Sequence, residues 1–78
     1  MATIILAPNE EFAHMHTTES RSKCLRGEVS VTFAGVAHTL RVGDTTVIPA
    51  GMEHVIKNIG RDNAHIGCAH SPRRAGPG

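Results

Sequence analysis

The fold is decided by residues 43–58, GDTTVIPAGMEHVIKN, where a strand-like run stops at Pro49 and Gly51 and resumes three residues later with a histidine. Proline cannot donate a hydrogen bond to a sheet, and glycine accepts backbone angles that other residues avoid, so the pair predicts a turn between two strands. His54 then occupies a place where an apolar strand residue is expected. A polar side chain in such a position points to chemical function.

The rest of the chain is organised in the same way. Short runs rich in Val, Ile, Thr and Leu are separated by turn residues, and the clearest alternation of apolar and polar residues covers residues 29–33 and 36–42. No segment has the periodicity of a helix. Many short strands at this spacing predict an all-β fold, a sandwich or small β-barrel.

The length of 78 residues indicates one domain, which we place at residues 1–72 with a flexible C-terminal tail at residues 73–78. A domain of about this size buries only roughly 60% of the surface of its unfolded chain. A ligand or a second subunit is therefore expected to add stability. We expect a homodimer, formed by edge pairing or exchange of the N-terminal strand around Thr3 to Leu6.

Charge and composition exclude several classes of protein. The net charge is +1, and the basic residues are scattered apart from Arg73 and Arg74, which disfavours nucleic-acid binding. No apolar run approaches the roughly 20 residues that span a bilayer, and no secretory signal is recognisable, so we expect a cytoplasmic protein without membrane contact. The two cysteines, Cys24 and Cys68, form no CxxC pair and are interpreted as reduced.

Two histidines, His14 and His16, lie two residues apart in the stretch FAHMHT. On a strand this spacing places both imidazoles on one side, with Phe12 beside them. Imidazole is a good ligand for zinc, copper, iron and nickel. A solvent-facing pair or hydrogen-bonded core histidines are the alternatives. His54, expected to face the pair across the barrel, would be a third ligand and would leave open coordination positions, as in reactive metal sites.

These motifs resemble the cupin family. The second cupin motif is matched in full: Gly, five residues, Pro-x-Gly, two residues, His, three residues and Asn fall at Gly43, Pro49, Gly51, His54 and Asn58. The first motif is matched in part, at His14, His16 and Gly27, because its usual glutamate position falls on Ser20. The resemblance extends over most of the chain.

The resemblance to the cupin family implies a double-stranded β-helix of jelly-roll type, with a divalent transition metal (Fe, Zn, Mn, Ni or Cu) held by His14, His16 and His54. It implies a small-molecule ligand. The chemistry would resemble that of a dioxygenase with iron, or of an isomerase, lyase or hydrolase with another metal. A non-catalytic module that binds a metal or a small molecule is the alternative.

Several residues near the predicted site are left open by the sequence. Glu19 lies one residue before the glutamate position, so it would reach the metal only if a β-bulge between His16 and Cys24 re-aimed it. Ser20 and Cys24 share a strand face, and His70 could reach the cavity from the last strand. Asn58 is interpreted as structural, closing a turn by side-chain hydrogen bonds.

Overall fold

The computed structural model describes residues 2–70, which form strands and connecting turns without a helix. The predicted tail, residues 73–78, lies outside the described residues. Within residues 2–70, no helix is long and apolar enough to cross a membrane. The strands are β1 (Ala2–Leu6), β2 (Glu11–Met15), β3 (Ser20–Arg26), β4 (Glu28–Phe33), β5 (Val36–Arg41), β6 (Thr45–Ile48), β7 (Glu53–Asn58) and β8 (Ala64–His70).

The strands form two antiparallel sheets of four strands each. The first sheet has the order β1-β8-β3-β6, and the second sheet has the order β2-β7-β4-β5. Neighbours in each sheet are mostly distant in sequence, as expected when the chain crosses repeatedly between two facing layers. The prediction of an all-β barrel of the double-stranded β-helix type is confirmed.

The core lies between the two sheets because both supply apolar side chains in alternation. In β4, Val29 and Val31 are fully buried, and in β7 the same holds for Ile56. The facing sheet contributes Ile48 and Ile66, which are 1% and 0% exposed. Burying a side chain of this size stabilises the fold by about 1.5–3 kcal/mol. Because side chains alternate between the two faces of a strand, the buried apolar residues also show which other residues of the same strand face inward.

A close approach between two turns requires glycine at position 27. Gly27 has φ +83°, and a Cβ added to it would lie 3.1 Å from the Cα of Ala64 and 3.3 Å from the carbonyl oxygen of Asn63. The pairing of β3 with β8 shifts register between Cys24 and Arg26, just before this turn. The glycine of the first motif is therefore a packing requirement where β3 turns into β4.

Candidate metal centre

The strand pairing of the second sheet brings His14 and His54 together. In the antiparallel register of β2 and β7 the two residues are direct partners, so both side chains lie on the same face. Along β2, Phe12 and His14 are half-buried, whereas Glu11, Ala13 and Met15 are exposed. The expectation that His54 faces the pair from across the barrel is wrong, because β7 is the neighbour of β2 in one sheet.

His16 lies one residue beyond the end of β2, so the strand prediction for this position is also wrong. Its backbone is nevertheless fixed, because its carbonyl oxygen accepts a hydrogen bond of 2.8 Å from the N–H of Gly51. Gly51 has φ +76°, which favours glycine. This hydrogen bond thus holds the end of the HxH motif against the Pro-x-Gly turn, which directly precedes β7 and His54.

The three imidazoles form a triangle. The ring centroids of His14 and His16 are 4.0 Å apart, those of His16 and His54 are 5.5 Å apart, and those of His14 and His54 are 6.1 Å apart. His54 is only 2% exposed, while the other two are half-buried. Two imidazoles that share a tetrahedral zinc ion hold their ring centroids roughly 5 Å apart. The imidazole donors suit a transition metal in chemistry, while the observed distances fall on both sides of this value.

The rings do not converge on one point as they stand. Within residues 2–70, no group of three or more His, Cys, Asp or Glu side chains is arranged to hold a metal ion. His14 and His16 are too close to each other, and His14 is too far from His54. To bring the rings to one point, the side chains of His14 and His16 would have to rotate. A rotation of about 30° away from a rotamer minimum costs about 0.5–1.5 kcal/mol. A metal held by His14, His16 and His54 stays a prediction.

The position of the family glutamate is occupied by a buried hydroxyl. Ser20 begins β3 in the first sheet and is 3% exposed, and Ser22, two residues on, is 1% exposed. Glu19 precedes the strand and is exposed. The one register shift in β3 falls after Cys24, so it does not re-aim Glu19. Of the two residues, the structure therefore places Ser20 on the inner face.

The two cysteines are buried thiols. The Sγ of Cys24 donates to the carbonyl oxygen of Gly27 at 3.3 Å, and burial raises the pKa of this thiol above its ordinary value. Burial also raises the pKa of Cys68, against the effect of a hydrogen bond with the Ser22 side chain. A thiol held protonated in this way is a poor metal ligand. Cys24 is thus a small core residue that caps the β3–β4 turn.

Aromatic rings flank the histidines on the second sheet. The ring of Phe12 stacks on that of His14, with centroids 5.3 Å apart and an angle of 19° between the planes. Phe33, to which the sequence assigned no role, stacks on His38 with centroids 4.7 Å apart. Continuing the register of Thr32 and Val55 by one residue places Phe33 beside His54. Only the strand pairing, which no local pattern encodes, reveals this neighbour.

The last strand places the backbone of His70 opposite Ser20. The side chain of His70 lies outside the described residues, so its predicted access to the cavity stays a prediction. Among the residues whose side chains are described, the buried polar ones are Ser20, Ser22, His54 and Asn58. The interior of the described chain therefore contains imidazole, hydroxyl and amide groups but no carboxylate.

Comparison with known proteins agrees with this architecture. The sequence model of the cupin domain family matches residues 2–70 of this chain. No protein of curated function matches the chain in sequence. A similar solved structure is that of a predicted oxalate decarboxylase from Thermotoga maritima, with 24% identity, 85% of this chain and 59% of that chain covered, and a TM-score of 0.75.

Two further structures show the range of proteins with this fold. An RmlC-like cupin family protein with a double-stranded β-helix fold, from Methanocaldococcus jannaschii, has 21% identity and a TM-score of 0.80, with 90% of this chain and 66% of that chain covered. Drosophila melanogaster CENP-C bound to CAL1 has 21% identity and a TM-score of 0.82, with 88% and 62% covered. The chain thus spans 59% to 66% of the length of these three proteins. At such identities the likeness shows the fold alone.

Proposed function

The chain belongs to the cupin family, and from this premise we propose that it binds a divalent transition metal through His14, His16 and His54 and acts on a small polar or anionic molecule. The observation that carries the proposal is the triangle of imidazole rings beside strands β2 and β7, with centroid distances of 4.0, 5.5 and 6.1 Å. Imidazole is a good ligand for divalent transition metals, and three imidazoles this close together can serve one ion.

The protein side of the proposed site has three properties. Neutral imidazoles bring no charge, so a dication keeps its full attraction for an anionic ligand. Three protein ligands leave coordination positions for a small molecule and water. Buried hydroxyls of Ser20 and Ser22 supply hydrogen-bonding groups on the inner face of the opposite sheet. A bound ion would supply Lewis acidity toward a carbonyl oxygen, or oxygen chemistry if the ion is iron.

Thermal unfolding with added metal tests the binding proposal. At a free ion concentration 100 times the Kd, binding to the native state adds about 2.7 kcal/mol. At about this chain length each kcal/mol shifts Tm by roughly 4–8 °C, so we expect a rise of roughly 10–20 °C with the preferred metal. The His16→Ala variant should lose most of this rise. The matched control is His65→Ala, because His65 lies outside the triangle on a strand of the other sheet.

Either of two results would contradict metal binding at this site. One is the absence of any shift in the unmodified protein with iron, zinc, manganese, nickel and copper. The other is an equal shift in the His16→Ala variant. Because His16 is half-buried and lies beyond the strand end, its replacement is expected to leave the fold intact.

A non-catalytic binding module is the second candidate, favoured by a specific observation. The buried polar side chains described for this chain include no carboxylate, so a buried general base other than histidine is absent from that part of the protein. Drosophila CENP-C, similar in fold, is described as bound to CAL1. Turnover of a hydroxy acid or diketone by the metal-loaded protein would support the enzyme, whereas ligand binding without turnover would support the module.

The proposal includes a homodimer. β1 is an edge strand of the first sheet, and its residue Ile5 is 56% exposed. An exposed strand edge with an apolar side chain favours pairing with a second copy. Analytical ultracentrifugation at micromolar concentration should give twice the mass of 8.3 kDa, and sedimentation as a monomer would contradict the dimer.

A further inference from the structure

A polar cleft lies at the far end of the barrel from the histidine triangle. It has a volume of about 550 Å³ and is open to solvent. Its lining residues come from the β1–β2 turn, the end of β3, the β7–β8 turn and the start of β8: Pro8, Arg26, Arg61, Asp62, Asn63 and His65. The β7–β8 turn follows Asn58, which is four residues and so roughly 13 Å along β7 from His54. The cleft is thus separate from the proposed metal centre.

The walls of the cleft are fixed by the side chain of Asn58, which is fully buried. Its Nδ2 donates to the carbonyl oxygen of Leu6 at 2.9 Å and to that of Asp62 at 2.7 Å. Its Oδ1 accepts from the N–H of Gly60 at 2.8 Å. This side chain therefore ties the end of β1 to the β7–β8 turn, and backbone hydrogen bonds of Asn58 with Asn9 and Glu10 hold the β1–β2 turn beside it. A cleft with a fixed backbone loses little conformational entropy when a ligand binds.

The cleft has an excess of positive charge. Arg26 and Arg61 face it together with His65, while Asp62 is the only acidic residue among its lining residues. Arg26 is the partner of His65 in the pairing of β3 with β8, so these two side chains are neighbours. Glu28 forms a salt bridge with Arg41, which lies outside the cleft. Within residues 2–70, neither arginine of the cleft is neutralised by an ion pair.

We propose that this cleft binds a small phosphate monoester that carries hydroxyl groups. Guanidinium groups bind phosphate oxygens in bidentate geometry, and two of them line this cleft. Asp62 would repel a bare anion but can accept a hydrogen bond from a hydroxyl group of the ligand. Asn63 offers both a donor and an acceptor. The combination selects a phosphate with an attached polyol over inorganic phosphate alone.

The test is a titration of the 15N-labelled protein followed by amide chemical shifts. The probes are glycerol phosphate, inorganic phosphate and glycerol. We expect saturable shifts in the two turns, roughly millimolar affinity for glycerol phosphate, several-fold weaker binding of inorganic phosphate, and no binding of glycerol. The Arg26→Ala and Arg61→Ala variants should each weaken glycerol phosphate binding about tenfold, the loss expected for one charge-assisted hydrogen-bonding group.

The matched control is Arg21→Ala. Arg21 is an exposed arginine on the same strand as Arg26, so its removal changes the net charge equally, and it is five residues away, roughly 16 Å along the strand. The affinity of the Arg21→Ala variant for glycerol phosphate should stay within about twofold of that of the unmodified protein, because only screened long-range attraction is lost. An equal loss in all three variants, non-saturable shifts, or equal affinity for both phosphates would each overturn the proposal. All replaced side chains are exposed, so folding is expected to be retained.

Discussion

Replacing Asn58 with alanine should strongly destabilise the protein. The asparagine is 0% exposed and makes three side-chain hydrogen bonds, two within the β7–β8 turn and one to the end of β1, with lengths of 2.7, 2.8 and 2.9 Å. Each such bond contributes about 0.5–1.5 kcal/mol net, so their loss costs about 3 kcal/mol. A chain of this length has a total stability of roughly 4–12 kcal/mol. The variant therefore loses a quarter or more of its stability.

Urea and thermal unfolding, followed by far-ultraviolet circular dichroism, measure this loss. At about this chain length a change of 3 kcal/mol lowers Tm by roughly 12–24 °C. The control is Asn63→Ala, because Asn63 is an exposed asparagine in the neighbouring turn, and its replacement should change the free energy of unfolding by about 0.5 kcal/mol or less. A loss below about 1 kcal/mol in Asn58→Ala would refute the role assigned to the hydrogen bonds.

The Asn58→Asp variant sharpens the same test. At neutral pH an aspartate keeps an acceptor for the Gly60 N–H, but it has no hydrogen to donate to the carbonyl oxygens of Leu6 and Asp62. It also buries a charge. We expect this variant to be at least as unstable as Asn58→Ala. Wild-type stability would show that donation by Nδ2 is unimportant.

Two further predictions concern the β3–β4 turn and the thiols. Gly27→Ala should lower the free energy of unfolding by about 2–4 kcal/mol, because φ is +83° and the added Cβ would lie 3.1 Å from the Cα of Ala64. The control is Gly35→Ala, which should cost only about 1 kcal/mol, because Gly35 has φ +75° but nothing lies within 4 Å of an added Cβ. Equal losses of stability in urea unfolding would contradict this reasoning. Burial raises the pKa of the Cys24 and Cys68 thiols above its ordinary value, so alkylation by iodoacetamide at neutral pH, followed by mass spectrometry, should be much slower in the native than in the unfolded protein. Equal rates would be inconsistent with buried thiols.

The sequence predicted the features that depend on spacing along a strand. Alternation correctly placed Ser20, Ser22 and Cys24 on one buried face, and the apolar runs correctly gave β4 and β5. The interpretation of Asn58 as a turn-closing residue is also confirmed by its hydrogen bonds. These features are local, because the period of two and the turn chemistry are encoded by neighbouring residues.

Features that depend on strand order were not predictable in the same way. His54 was expected across the barrel from His14, but it lies beside it, because β7 is hydrogen-bonded to β2 although more than thirty residues separate them in the chain. The hydrogen bond from the Asn58 side chain to the carbonyl oxygen of Leu6 likewise joins strands that are distant in the chain. Period-2 patterns fix the face of a residue but not its neighbour on the next strand.

The central claim, that His14, His16 and His54 share a transition metal, is tested most directly by the metal content per chain. The measurement is inductively coupled plasma mass spectrometry on protein purified without a histidine tag and then supplied with iron, zinc, manganese, nickel and copper. We predict about one ion per chain in the unmodified protein and in His65→Ala, and nearly none in His16→Ala or His54→Ala. No bound metal in any of them, or the same amount in all four, would contradict the claim.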